Sequence, residues 1–165
     1  VNAKMSGSSD LRNKNGAVYT LVSGMLNGNT LKVSGNVTKV SQRYQTLMVL
    51  KNNLGTLSLE SLSNTTPWEP LIGTRGQYHI SGLDQQSLKY PDADAGDIRE
   101  AVQKAAQRRR MSRKKVQVMV SSVRHLRSPR QKPLTLMLRS VMWKIDGKDA
   151  NGKSFSKQIR IDLPL

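Results

Sequence analysis

The chain has no cysteine and only two histidines among its 165 residues. Without cysteine it can form neither a disulfide framework nor a thiolate nucleophile, and two histidines alone cannot assemble a structural zinc site of the usual Cys/His kind. A Walker loop and a nucleophile elbow are absent as well. The sequence therefore predicts a protein that is not an enzyme and that uses no metal or other cofactor.

Long apolar runs are also lacking. No stretch approaches the roughly 20 apolar residues that cross a bilayer, and the N-terminal residues carry no hydrophobic signal core. Hydrophobic residues make up 36% of the chain and are spread along it, which is enough for a folded core. We expect a soluble or peripheral protein without a transmembrane segment or a visible secretion signal. Its location stays open among nucleus, cytoplasm and virion, and the start at Val1 leaves open whether other residues preceded it.

Acidic residues are scarce relative to basic ones. Eleven Asp and Glu face 27 Lys and Arg, which gives a formal net charge of +16 and indicates a polyanionic partner. Residues 97–132 hold twelve of those cations but only two acids, and residues 101–144 contain no acid at all. A solvated charged face normally mixes both signs. This segment is therefore predicted to contact a polyanion, with nucleic acid favoured over an anionic membrane surface.

The candidate nucleic-acid-binding residues are the cations at the end of a predicted helix and in the basic loop that follows. They are Arg108, Arg109, Arg110, Arg113, Lys114, Lys115, Arg124, Arg127, Arg130 and Lys132. The helix dipole accounts for one or two of the first six, because it contributes only about 0.3–1 kcal/mol per residue and fades within one turn. The remaining charges are predicted to contact phosphates.

Aromatic residues form only 4% of the chain, so few rings are available to stack on nucleic-acid bases. The candidates for stacking are Trp68, which lies between two prolines, and Tyr44 and Tyr78. The other interpretation of Trp68 is a lid folded back on the core. Binding is therefore expected to depend on phosphate contacts, to be sensitive to salt and weakly sequence-specific, and to favour single-stranded DNA or RNA.

The N-terminal residues 1–16 are polar and lack a hydrophobic period, which predicts a flexible basic arm. Residues 17–165 are predicted to form a single β-rich domain. Within it, Asn27-Gly28 between two alternating segments predicts one hairpin, and residues 52–55 predict a second. The prolines and glycines between residues 67 and 82 predict a long loop that is interrupted by a strand at 77–81.

One main helix is predicted at about residues 98–112, with Asp97 and Glu100 at capping-box spacing. Asp92, Asp94 and Asp97 have the composition of a metal-binding carboxylate set, but their place before the helix favours capping and charge balance. Strands are predicted after the helix, at 116–121 and at 134–145. The expected fold class is α+β and β-rich, either a small coiled antiparallel sheet or an OB-like barrel with one main helix.

Two other functional classes compete with the nucleic-acid-binding prediction. The first is a viral structural protein, a capsid, nucleocapsid or matrix subunit whose basic surface packs a genome or binds an anionic membrane. Such a protein would form homo-oligomers and assemble at higher concentration without nucleic acid. The second is an adaptor for an acidic protein, which would have no affinity for nucleic acid at physiological salt.

Overall fold

A computed structural model of the chain describes residues 4–9 and 16–164, and the side chains of residues 17–21 and 24–164. This part of the chain is a strand-rich α+β protein with ten strands and two helices. The strands form two open sheets that do not close into a barrel. The predicted α+β class is therefore confirmed, whereas the OB-like barrel is not.

The elements follow one another in this order. They are β1 (Lys4–Ser9), β2 (Gly16–Ser23), β3 (Thr30–Lys32), β4 (Asn36–Asn52), β5 (Gly55–Thr65), β6 (Glu69–Pro70), β7 (Gly73–Thr74), β8 (Gln77–His79), α1 (Ala95–Arg108), α2 (Arg113–Ser121), β9 (Leu134–Lys148) and β10 (Ser154–Asp162). In the larger sheet the strand order is β1-β2-β10-β9-β4-β5, with β6 paired to β4, and the smaller sheet has the order β3-β8-β7. None of the described helices is long and apolar enough to cross a membrane.

The chain divides into two compact units. Unit 1 comprises the described residues within 1–45, 65–88 and 138–165, and unit 2 comprises residues 46–64 and 89–137. The single domain expected for residues 17–165 stays a prediction. Part of the segment assigned to an N-terminal arm forms β1, which pairs antiparallel with β2, and the rest of that arm before Gly16 lies outside the described residues.

In unit 1 the predicted hairpin at Asn27-Gly28 is wrong. A turn does form there, but β2 pairs with β1 and β10, while β3 pairs with β8 in the other sheet. The turn is bound to another part of unit 1: the Gly28 N–H donates to the Ile80 carbonyl at 2.8 Å, and Asn27 Oδ1 accepts from the Leu83 N–H at 3.0 Å. These bonds to a distant segment override the local hairpin preference. The predicted strand at 77–81 is confirmed as β8.

In unit 2 the second predicted hairpin is confirmed, since β4 and β5 are neighbours joined by a short turn at Asn53 and Leu54. The Leu54 N–H donates to Asn52 Oδ1 at 2.9 Å and so fixes the turn. Two apolar side chains of β5, Leu57 and Leu59, are fully buried in this unit.

Helix α1 is confirmed, but it begins earlier than predicted. Asp94 is the N-cap, and its carboxylate and that of Asp97 each accept the other's backbone N–H, at 2.8 and 3.0 Å. The capping box therefore lies one turn before the predicted Asp97 and Glu100 pair, because an aspartate also fills its second position. Hydrogen bonding from the Asp97 backbone N–H holds the pKa of Asp94 below its ordinary value. The narrow apolar stripe of α1, which includes Ile98 and Val102, is buried as expected.

The predicted strand at 116–121 is wrong, because these residues belong to helix α2. Val116, Val118 and Val120 alternate as in a strand, yet Val116, Met119 and Val123 also follow the helical spacing of three to four residues. Ser112 decides between the two patterns, since its side chain caps the helix by accepting the Lys115 N–H at 3.2 Å. Met119 and Val123 are then buried, and Val118 is left 45% exposed.

Candidate functional site

All ten cations predicted to bind nucleic acid lie in unit 2, and all are exposed. We call the first group, at the end of α1 and the start of α2, the first basic cluster: Arg108, Arg109, Arg110, Arg113, Lys114 and Lys115. We call the group in the loop after α2 the second basic cluster: Arg124, Arg127, Arg130 and Lys132. The first cluster includes the first turn of α2, and the second begins at Arg124, three residues beyond the end of that helix.

The tight connection between the helices gathers the first basic cluster. The Arg110 N–H donates to the Gln107 carbonyl at 2.9 Å, and the Met111 N–H donates to the Ala106 carbonyl at 3.2 Å. This pair of bonds is the Schellman motif that ends many helices. Its left-handed position, normally a glycine, is occupied by Arg110 at φ 55°. The chain thus places a cation where a glycine would be less strained.

The first turn of α2 carries three cations, Arg113, Lys114 and Lys115, and no acid. The N-terminus of a helix bears a partial positive charge, so these side chains repel both one another and the helix dipole. The same arrangement attracts an anion, because the dipole and the side chains act in the same direction on a negative charge.

The cations of both clusters have few partners in the described residues. Arg109 donates from Nη1 to the Thr56 carbonyl at 2.5 Å, and the Arg130 guanidinium lies 4.3 Å from the centre of the Tyr90 ring. None of the ten lies within ion-pair distance of a described carboxylate, whereas Lys104, one turn before Arg108, pairs with Glu100 at 2.9 Å. The charge of this surface is therefore not neutralised by the unit's own acids.

The acids of unit 2 lie mainly around the start of α1. Asp92, Asp97 and Glu100 line a depression of about 260 Å³ together with Ser61, Leu62 and Lys104. No group of three His, Asp or Glu residues in the described chain is arranged to hold a metal ion. Asp94 and Asp97 instead cap α1, as the sequence favoured. Acids at the start of the helix and cations at its end make the charge distribution of unit 2 strongly asymmetric.

The three aromatic candidates for base stacking all belong to unit 1, whereas the ten cations belong to unit 2. Tyr44 and Tyr78 are each only 8% exposed, and the Tyr44 hydroxyl donates to the Ser87 carbonyl at 3.4 Å. Trp68 is partly exposed, with Arg43 and Lys144 over its ring at 4.4 and 4.8 Å. In this conformation the two tyrosine rings are unavailable to a base, and cations already occupy positions over the indole.

An apolar groove beside the first basic cluster was not predicted from the sequence. It has a volume of about 380 Å³ and is lined by Leu54, Met111, Ser112, Lys114, Lys115, Val118 and Met119. Leu54 is 49% exposed and Val118 is 45% exposed, so two large apolar side chains face solvent amid cations. The only sequence signals for it are a leucine in a polar turn and the helical spacing of Lys114, Lys115 and Val118.

Comparison of the chain with protein-family models, with curated protein sequences and with solved structures finds no match. The functional interpretation therefore depends on the geometry and charge of the site itself.

Proposed function

We propose that this chain is a non-enzymatic nucleic-acid-binding protein that contacts the phosphate backbone through unit 2, with low sequence specificity and a preference for single-stranded DNA or RNA. The observation that carries the proposal is the surface of ten exposed cations, none of which is paired with a described carboxylate. Unit 2 as a whole has fourteen Lys and Arg against five Asp and Glu.

A polyanion is the partner that best matches such a surface. Like charges held close together by folding repel one another, and multiple phosphates relieve that repulsion while releasing the counterions condensed on the nucleic acid. Seven of the ten residues are arginines, whose planar guanidinium groups can bind phosphate oxygens in a bidentate manner. Contacts of this kind position a nucleic acid without reading its bases, which supports low sequence specificity.

The proposal is tested by fluorescence anisotropy with labelled single-stranded DNA, single-stranded RNA and duplex DNA across a salt series. We expect binding that weakens steeply with salt, because each phosphate contact contributes about −0.7 to the slope of log K against log salt for a single strand. Absence of binding to all three probes near physiological salt would contradict the proposal. Light scattering on the same samples without nucleic acid tests the viral structural alternative, which predicts large assemblies of the protein alone.

Replacing Arg110 by glycine is expected to stabilise the protein while weakening nucleic-acid binding. Glycine adopts the left-handed conformation without steric cost, so the free energy of unfolding should rise by about 0.5–1 kcal/mol. The loss of one cation should weaken binding several-fold and reduce the salt slope by roughly one phosphate contact. Thermal denaturation and anisotropy measure the two effects separately.

Arg75 provides the matched control for this substitution. It also has φ 55°, but it lies in unit 1, away from the two basic clusters in sequence. Arg75→Gly should therefore stabilise the protein by a similar amount and leave the affinity for nucleic acid unchanged. Equal loss of affinity in both variants would mean that net charge, rather than the first basic cluster, governs binding.

A further inference from the structure

The groove beside the first basic cluster has walls from two segments that are far apart in the sequence. Leu54 comes from the turn between β4 and β5, and Val118 and Met119 come from α2. Hydrogen bonds on both sides of Leu54 hold this turn against the helical region: Asn52 Nδ2 donates to Ser122 Oγ at 3.4 Å, and Arg109 Nη1 donates to the Thr56 carbonyl. The groove is thus part of the folded unit and does not depend on a ligand to form it.

Cations lie directly at the edge of this apolar surface. Lys114 and Lys115 precede Val118 by four and three residues, so the three side chains share one face of α2. Both lysines line the groove, where their aliphatic stems extend the apolar surface and their ammonium groups can remain in solvent. An occupant that fits both features has a flat or apolar part for the groove and an anionic group for the lysines. The two parts are separated by about the length of one helical turn.

We propose that this groove receives an unpaired base of a single-stranded nucleic acid while Lys114 and Lys115 bind the adjoining phosphate. The inference rests on the proposed function and adds to it the structural source of the single-strand preference. In a duplex the bases are stacked inside and present only phosphates to the clusters, whereas in a single strand a base can turn outward against apolar side chains. Aliphatic side chains thereby take the role that the sequence assigned to Tyr44, Tyr78 and Trp68.

The test compares three labelled probes of equal length: a base-bearing single strand, the same strand with abasic sites, and a duplex. The variant combines Leu54→Ser with Val118→Ser, which removes exposed apolar surface without changing charge. We expect its affinity for the base-bearing strand to fall about tenfold, which corresponds to about 1.4 kcal/mol. Its affinity for the abasic strand and the duplex should not change.

Ile72→Ser is the matched control, because Ile72 is 86% exposed and belongs to unit 1. It should leave binding of all three probes unchanged, and thermal denaturation should show that both variants remain folded. Equal affinity of the groove variant and the unmodified protein for the base-bearing strand would overturn the inference. Failure of the unmodified protein to bind any of the probes would overturn the proposed function instead.

A second result would also overturn the assignment of the groove to a base. The same groove is compatible in charge with an acidic amphipathic peptide, which can be added as a labelled probe. Tight peptide binding that the Leu54→Ser and Val118→Ser variant abolishes, with nucleic-acid binding unaffected, would identify a protein partner as the occupant.

Discussion

Replacing all six residues of the first basic cluster by glutamine is expected to weaken nucleic-acid binding more than about a hundredfold near 100 mM salt. If each side chain neutralises one phosphate, the slope of log K against log salt should become shallower by about four for a single strand. The fold should persist, because all six side chains are exposed and their removal relieves repulsion at the start of α2. Anisotropy across a salt series and thermal denaturation measure the two outcomes.

The control for this variant removes the same number of charges from unit 1. Six exposed cations there can be changed to glutamine: Lys32, Lys39, Arg75, Lys148, Lys153 and Lys157. Both variants have the same net charge, so a large loss of binding in the first and a small loss in the second would locate the interface in unit 2. Equal losses would show that binding responds only to total charge and would contradict the assignment of the site.

Replacing Gln42 by methionine is expected to lower the free energy of unfolding by about 1–3 kcal/mol. The Gln42 side chain accepts the Trp143 indole N–H at 2.9 Å and donates to the Ser81 carbonyl at 2.8 Å, and both Gln42 and Trp143 are buried. Methionine has a similar shape but would leave the indole N–H without an acceptor, and a buried unpaired group costs about 1–3 kcal/mol. The melting temperature should fall by roughly 2–12 °C for a chain of this size.

A double-mutant cycle with Trp143→Phe isolates the hydrogen bond. Once the indole donor is absent, Gln42→Met should destabilise the protein much less than it does alone. Gln158→Met, at an exposed position of β10, is the control for the substitution itself and should have little effect. An unchanged melting temperature for Gln42→Met would mean that water satisfies the indole group.

The parts of the fold that the sequence predicted correctly are those decided by neighbouring residues. The stripe of Ile98 and Val102 and the aspartates before it indicated α1, and polar turn residues between two apolar segments indicated the β4–β5 hairpin. The pairing of β2 with β10 was not predictable in this way, because it joins residues as far apart as Gly16 and Gln158 in parallel. The helix α2 was missed because its valines satisfy both the strand and the helix period.

The candidate site likewise contains features that local sequence reveals and features that depend on contacts between distant residues. The unbalanced charge of the ten cations is visible in the sequence alone, and the structure leaves all ten exposed, while their contact with nucleic acid stays a prediction. The groove was not predictable from the sequence, because Leu54 and Val118 meet only after the β4–β5 turn is bound to α2. The burial of Tyr44 and Tyr78 likewise depends on tertiary packing that no local pattern reports. The absence of enzymatic activity, the oligomeric state and the cellular location stay predictions.

The three cations in the first turn of α2 couple the folding of unit 2 to the binding of an anionic ligand. Positive side chains at the positive end of a helix reduce the stability of unit 2 in the absence of a partner. A polyanion bound there removes that penalty, and any ligand with higher affinity for the folded state shifts the folding equilibrium toward it. If phosphates bind there as proposed, the stability of unit 2 should be lowest in dilute salt and highest when the start of α2 is occupied.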